Sequence, residues 1–139
     1  MSYRFLIALF TGLLAGPWAW AQPDLTAPTV KRIMQSVVGV QARSDAQAST
    51  ARTLGQQRYG SGVVIAPDLV LTIGYLLLEA ETVDLVDHQG RTIPGQVRAV
   101  DNTSGLGLIR ALVPLRLEAV SLGDSDALPT PGKLWTLGQ

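Results

Sequence analysis

From residue 60 onward the chain alternates short apolar runs with turn residues, and that rhythm most narrows the folds open to it. Residues 61–66 (SGVVIA) and 69–73 (LVLTI) are joined by Pro67 and Asp68, the arrangement of a hairpin. Residues 82–86 and 91–100 flank Asp87-His88-Gln89-Gly90, a four-residue turn ending in glycine. Residues 106–112 and 133–137 supply further short strands, with Pro114, Pro129 and Pro131 punctuating the links. Upstream, residues 36–43 (SVVGVQAR) are β-branched enough for another strand. Six or so short strands at this spacing argue for a barrel or sandwich rather than a βαβ layout. Residues 74–80 (GYLLLEA) suit a single helical turn. Pro28 sits where a first helical turn tolerates it, with Thr26 as a cap, and Val30, Ile33, Met34 and Val37 recur at helical spacing. A short amphipathic helix is therefore predicted over 28–35. Residues 44–58 (SDAQASTARTLGQQR) are polar, small and without period, so they read as a surface loop whose length suggests function or mobility.

The first twenty-odd residues follow a different pattern. Arg4 precedes residues 5–14 (FLIALFTGLL), apolar apart from Thr11 and Gly12; Gly16 and Pro17 break the run, and Ala19-Trp20-Ala21 places small residues at a cleavage site. This predicts a signal peptide at 1–21 and an exported product, periplasmic or secreted, beginning at Gln22. The apolar core falls well short of the roughly 20 residues a membrane span needs. No later segment is long and apolar enough either, so no membrane span is expected after cleavage. Of the 139 residues, 47% are hydrophobic and 16% charged, which suits one globular domain over 22–139. Lys plus Arg equals Asp plus Glu at 11 each, without a like-charge run, so nothing favours a nucleic-acid or anionic-membrane partner. The cysteine count is zero, which removes disulfides and thiolate metal sites.

Four segments, taken in order, resemble the trypsin-like serine proteases, closest to their bacterial HtrA-type branch. They are Ser36-Val37-Val38-Gly39-Val40; Gly60-Ser61-Gly62-Val63-Val64-Ile65 with Val70-Leu71-Thr72; residues 101–109 (DNTSGLGLI); and Leu122-Gly123-Asp124-Ser125-Asp126 with Gly132. The resemblance runs from about residue 28 to the last residue. It implies an all-β fold: the first six-stranded β-barrel of a trypsin-like two-barrel domain, preceded by a short N-terminal helix. In that family the His and Asp of the triad come from the first barrel and the nucleophilic Ser from the second. All three are needed: a hydroxyl, an imidazole to take its proton, and a carboxylate to orient the imidazole.

Where the family has its His after the "VLT" strand, this chain reads Leu71-Thr72-Ile73-Gly74-Tyr75, so the resemblance puts Tyr75 in the His position. A phenol donates a hydrogen bond at neutral pH but is a poor general base. The family's Asp stands one residue before an apolar strand; here Ser104-Gly105-Leu106-Gly107-Leu108 puts Gly105 in its place. The Ser would lie in a second barrel, which is expected to be absent because the chain stops where the first barrel finishes. No catalytic residue is therefore expected, and no cofactor or metal.

Other residues offer little rescue. His88, the one histidine, belongs to a polar turn about a strand away from position 75. Asp101 precedes Gly105 by four residues and is expected to end a strand. Ser61 between Gly60 and Gly62 is expected to open a wall strand where small residues permit close packing. Glu79, Glu81 and Asp84 lack a His or Cys partner and read as a solvated acidic edge. Three classes of function remain open. One is a protease homologue, or pseudoprotease, that binds a peptide or envelope protein, with Tyr75 either forming a binding surface or merely filling the space of the His. Another is a truncated or fragmentary chain whose barrel needs a second barrel or self-association to cover its apolar face. The third is a fragment of a longer trypsin-like endopeptidase of the HtrA type in envelope protein quality control, where a peptide-binding PDZ module commonly follows.

Overall fold

The computed structural model describes residues 26–128 and Thr136. The leader expected at 1–21, the strand expected at 133–137 apart from Thr136, and Pro129, Pro131 and Gly132 lie outside the described residues.

Six strands form one closed antiparallel barrel: β1 (Val37–Ser44), β2 (Gln57–Ala66), β3 (Leu69–Ile73), β4 (Ala80–Val86), β5 (Thr92–Asp101) and β6 (Leu106–Ala111). Their order around the wall is β1-β2-β3-β6-β5-β4, and β1 pairs with β4 to close it. Closure leaves no unpaired strand edge in the wall. Alternation along each strand sends every second side chain inward. Val38, Val40 and Ala42 of β1, Val64 of β2, Val70 of β3, Val83 and Leu85 of β4, Ile93 of β5, and Ile109 and Ala111 of β6 form the core. Leu115, which follows β6, is also fully buried in it. β-Branched residues suit this half-buried pleated surface, and shifting a strand by one residue would turn the set outward.

The expected hairpin is β2–β3, with Val63 opposite Leu71 and Val64 opposite Val70. The glycine of β2 at position 62 is required by crowding: a Cβ there would lie 2.5 Å from Val70 Cγ1 and 3.1 Å from Val40 Cγ2. The predicted helix is α1 (Ala27–Gln35), with Pro28 in its first turn. None of its residues is fully buried, and Met34 is exposed, so the apolar stripe is only partly used.

The segment 44–58 differs from the expected featureless loop. It contains a short helix, α2 (Ala51–Leu54), and its last two residues already belong to β2. Arg58 is buried rather than on the surface. No helix among the described residues is long and apolar enough to cross a membrane.

Candidate functional site

At one end of the barrel β3 runs into a 3₁₀ turn, Gly74–Leu77, which carries Tyr75. Its apolar residues split by direction. Leu76 and Leu77 are buried, whereas Tyr75 is 48% exposed. Two glycines of the wall make room for the anchors: a Cβ on Gly60 would lie 2.5 Å from Leu76 Cδ1, and one on Gly107 would lie 2.7 Å from Leu77 Cδ1. Gly74 itself is crowded by Val100 and by the carbonyls of Gly105 and Leu106, so a side chain there would push the turn off the wall. Tyr75 is thus held out by a turn whose other residues are locked in.

The β5–β6 connection forms the facing side. Asp101 accepts hydrogen bonds from Thr103 N (2.9 Å), Ser104 N (3.2 Å) and Ser104 Oγ (2.7 Å). The Ser104 hydroxyl, followed by the Thr103 and Ser104 amides, holds this carboxyl below its ordinary pKa. The connection ends at Gly105, whose φ of 73° is left-handed and favours glycine. Gly105 O accepts from Gly74 N at 2.7 Å, which ties the two segments together. A shallow cavity of about 380 Å³ lies here, lined by Ile73, Gly74, Tyr75, Val100, Asp101 and Gly105 among others. Its chemistry is that of an exposed phenol, apolar side chains and one carboxylate already engaged by its own turn. It contains no imidazole, and its one carboxylate is aimed at backbone and Ser104.

The sequence brought Tyr75 and Gly105 forward separately, and the fold puts them in one cavity. The other candidates lie elsewhere. His88 is exposed in the β4–β5 turn. The seven residues of β4 separate it from the Tyr75 end by about 20 Å at the usual rise per residue. Ser61 is in the wall opposite Gly39, and its carbonyl accepts from Thr72 Oγ1 at 2.8 Å. Asp101 does end β5. Glu81 is exposed and Asp84 half-buried on β4, and no metal-holding group of His, Asp and Glu occurs among the described residues.

Glu79 is exposed, as the solvated edge expected of it requires, but it is not free. Its carboxylate accepts from Thr50 N (2.8 Å), Thr50 Oγ1 (2.7 Å) and Ser49 Oγ (2.9 Å), with the Thr50 amide the largest cause of its lowered pKa. Sequence reasoning also passed over Arg58. Its place beside Tyr59 and the GSG run was a clue, since an arginine in the first residues of a wall strand has an even chance of pointing inward.

A closed six-stranded antiparallel barrel with a 3₁₀ turn after β3 defines the class: an all-β half-domain of the kind seen in two-barrel peptidases. The family model for the trypsin-like peptidase domain matches residues 60–139, and the chain belongs to that family. Among solved structures it is similar to the HtrA-type protease AlgW with tripeptide, at 20% identity and a TM-score of 0.60, covering 72% of this chain and 30% of that one. It is also similar to the serine endoprotease from Yersinia pestis, at 23% identity and a TM-score of 0.55, covering 68% and 31%. These likenesses establish the fold, and the chain spans about three-tenths of the length of either structure. No curated protein matches.

Proposed function

We propose that this chain is the first barrel of an exported trypsin-like domain of the HtrA type, in which Tyr75 and Gly105 occupy the base and carboxylate positions. On this reading it takes part in binding a peptide or envelope protein rather than in hydrolysis. The observation that carries the reading is the Gly74 N to Gly105 O hydrogen bond, which sets positions 75 and 105 side by side. Two positions so joined suit an imidazole and the carboxylate that orients it. With a phenol and a bare Cα there, neither proton abstraction nor stabilisation of an imidazolium is available, and losing triad members costs on the order of 10⁴ in turnover. Tyr75 is exposed, which favours a contact surface over a side chain that merely fills a vacated space. Export rests on the leader pattern of residues 1–21.

A second reading, a piece of a longer active endopeptidase in envelope protein quality control, is favoured by the share of the solved structures that the chain spans. A fluorophosphonate probe on the full natural product separates the two. No labelling is expected, with or without the paired substitutions Y75F and G105A. Labelling of the native product at a serine that those substitutions abolish would overturn the inert reading and establish the active one.

A further inference from the structure

The buried guanidinium of Arg58 has no part in the reading above, yet it lies directly beneath the Tyr75 turn. Arg58 is 4% exposed. Its Nη1 donates to the carbonyls of Tyr75 (3.0 Å), Leu76 (3.2 Å) and Leu78 (2.6 Å), the groups that a turn leaves without backbone partners at its C-terminal end. Its Nη2 donates to Ser44 Oγ (3.2 Å) and Thr50 Oγ1 (3.0 Å). Every one of these acceptors is neutral. The compensating charge arrives through Thr50, whose hydroxyl accepts from Arg58 and donates to Glu79 Oε2. Glu79, exposed and two residues past the turn, has a left-handed φ of 51°, a conformation that costs a non-glycine residue free energy and persists only where its surroundings hold it.

We propose that Arg58, Thr50 and Glu79 form a latch that couples the 45–56 loop to the turn presenting Tyr75. The coupling follows from where the charges are. When the loop swings out, Thr50 and Ser49 leave Glu79, and Arg58 loses its bridge to the only carboxylate in the network. A buried cation without its counter-charge is unfavourable, so the guanidinium follows toward solvent. Its departure frees the carbonyls of residues 75, 76 and 78 together, and the turn loosens. A partner that seizes the loop therefore alters how Tyr75 is presented. The inference concerns the turn's conformation and holds whether or not the domain hydrolyses anything.

Site-resolved hydrogen exchange on the full natural chain tests it, comparing native protein with E79Q, T50V and T50S, and with E81Q as a control on a neighbouring carboxylate, equally exposed, outside the network. E79Q and T50V are expected to raise opening about tenfold in both 45–56 and 74–79, the scale of one charge-assisted hydrogen bond. Amides of β5 and β6 and the E81Q protein should stay at native rates, and T50S, which keeps the hydroxyl, should restore protection in both segments. Faster exchange confined to the loop would overturn the latch, as would a uniform rise across the barrel or no change at all.

Discussion

The β4–β5 and β5–β6 connections use one local grammar for opposite ends. Each begins with an aspartate whose carboxylate accepts an N–H two residues on, Gln89 N for Asp87 and Thr103 N for Asp101. Each reaches a glycine with left-handed φ, 77° at Gly90 and 73° at Gly105. Beyond that they part. Asp87 is buried and also accepts from Arg91 N and Arg91 Nε, both at 2.9 Å, while Arg91 Nη2 reaches the carbonyl of the buried Leu115. That turn is therefore cross-linked to the segment that plugs the barrel. Asp101 is exposed, pairs with no cation among the described residues, and spends its carboxylate on its own turn. One turn is a tie and the other a rim. The same backbone solution becomes structural or leaves an open face according to whether a cation closes over the carboxylate.

The largest expected effect breaks the tie. D87A removes the acceptor of three hydrogen bonds at a buried site, and frees Arg91 from its partner. A loss of about 3 kcal/mol is expected, measured as a fall in the urea midpoint at unchanged slope. D101A, at the rim, should move the midpoint much less. Equal shifts for the two would show that burial does not separate them.

The walls and turns were legible because their signals are local, while the latch was not. Val38, Val40, Val64 and Val70 announce inward faces by period two, and Gly60 and Gly62 announce close packing within the same few residues. The helix over 28–35 was visible from Pro28 and the spacing of Val30, Ile33 and Met34, and it spans Ala27–Gln35. Glu79 gave no such signal, and Arg58 only its place at the start of a wall strand. The carbonyls that Arg58 binds lie 17 to 20 residues on and its hydroxyl partners Thr50 and Ser44 lie 8 and 14 back, while the partners of Glu79 lie 29 to 30 residues back. A polar stretch such as 44–58 looks like solvent-facing loop when nothing nearby in sequence shows what its donors meet. The same holds for positions 75 and 105, whose adjacency comes from the β3–β6 pairing, Ile73 opposite Leu106, and the Gly74 N to Gly105 O bond that continues it between segments 31 residues apart.

An intermediate effect comes from acid. Burial pushes the Asp87 carboxyl up, but hydrogen bonds from the Arg91 amide and guanidinium and from Gln89 N outweigh it and leave the group below its ordinary value. A carboxyl depressed in the folded state contributes stability that is fully present above its unfolded pKa, about 3.9 for aspartate, and is lost as pH falls through the folded pKa. Stability should thus hold from neutral pH down to about 5 and drop below about 4. D87N should flatten that acid limb in urea titrations. D101N should flatten it less, because the Asp101 carboxylate interacts in full contact with solvent. An acid limb that D87N leaves unchanged would assign the loss to other carboxylates, Glu79 first among them.

The smallest effect tests whether the two glycines are equivalent where they should be. A Cβ added at Gly90 or at Gly105 meets nothing within 4 Å, so alanine at either position costs only what the left-handed backbone imposes, about 1 kcal/mol. G90A and G105A should therefore lower stability equally. Their local consequences should still differ. Gly105 O holds Gly74 N, so strain at 105 passes to the turn that carries Tyr75, whereas Gly90 N closes only its own turn on Asp87 O. Hydrogen exchange at the Gly74 amide should rise in G105A and remain native in G90A. If both variants leave it native, strain at 105 does not reach the turn, and the bond, the β3–β6 pairing and the buried anchors Leu76 and Leu77 together hold it against that strain.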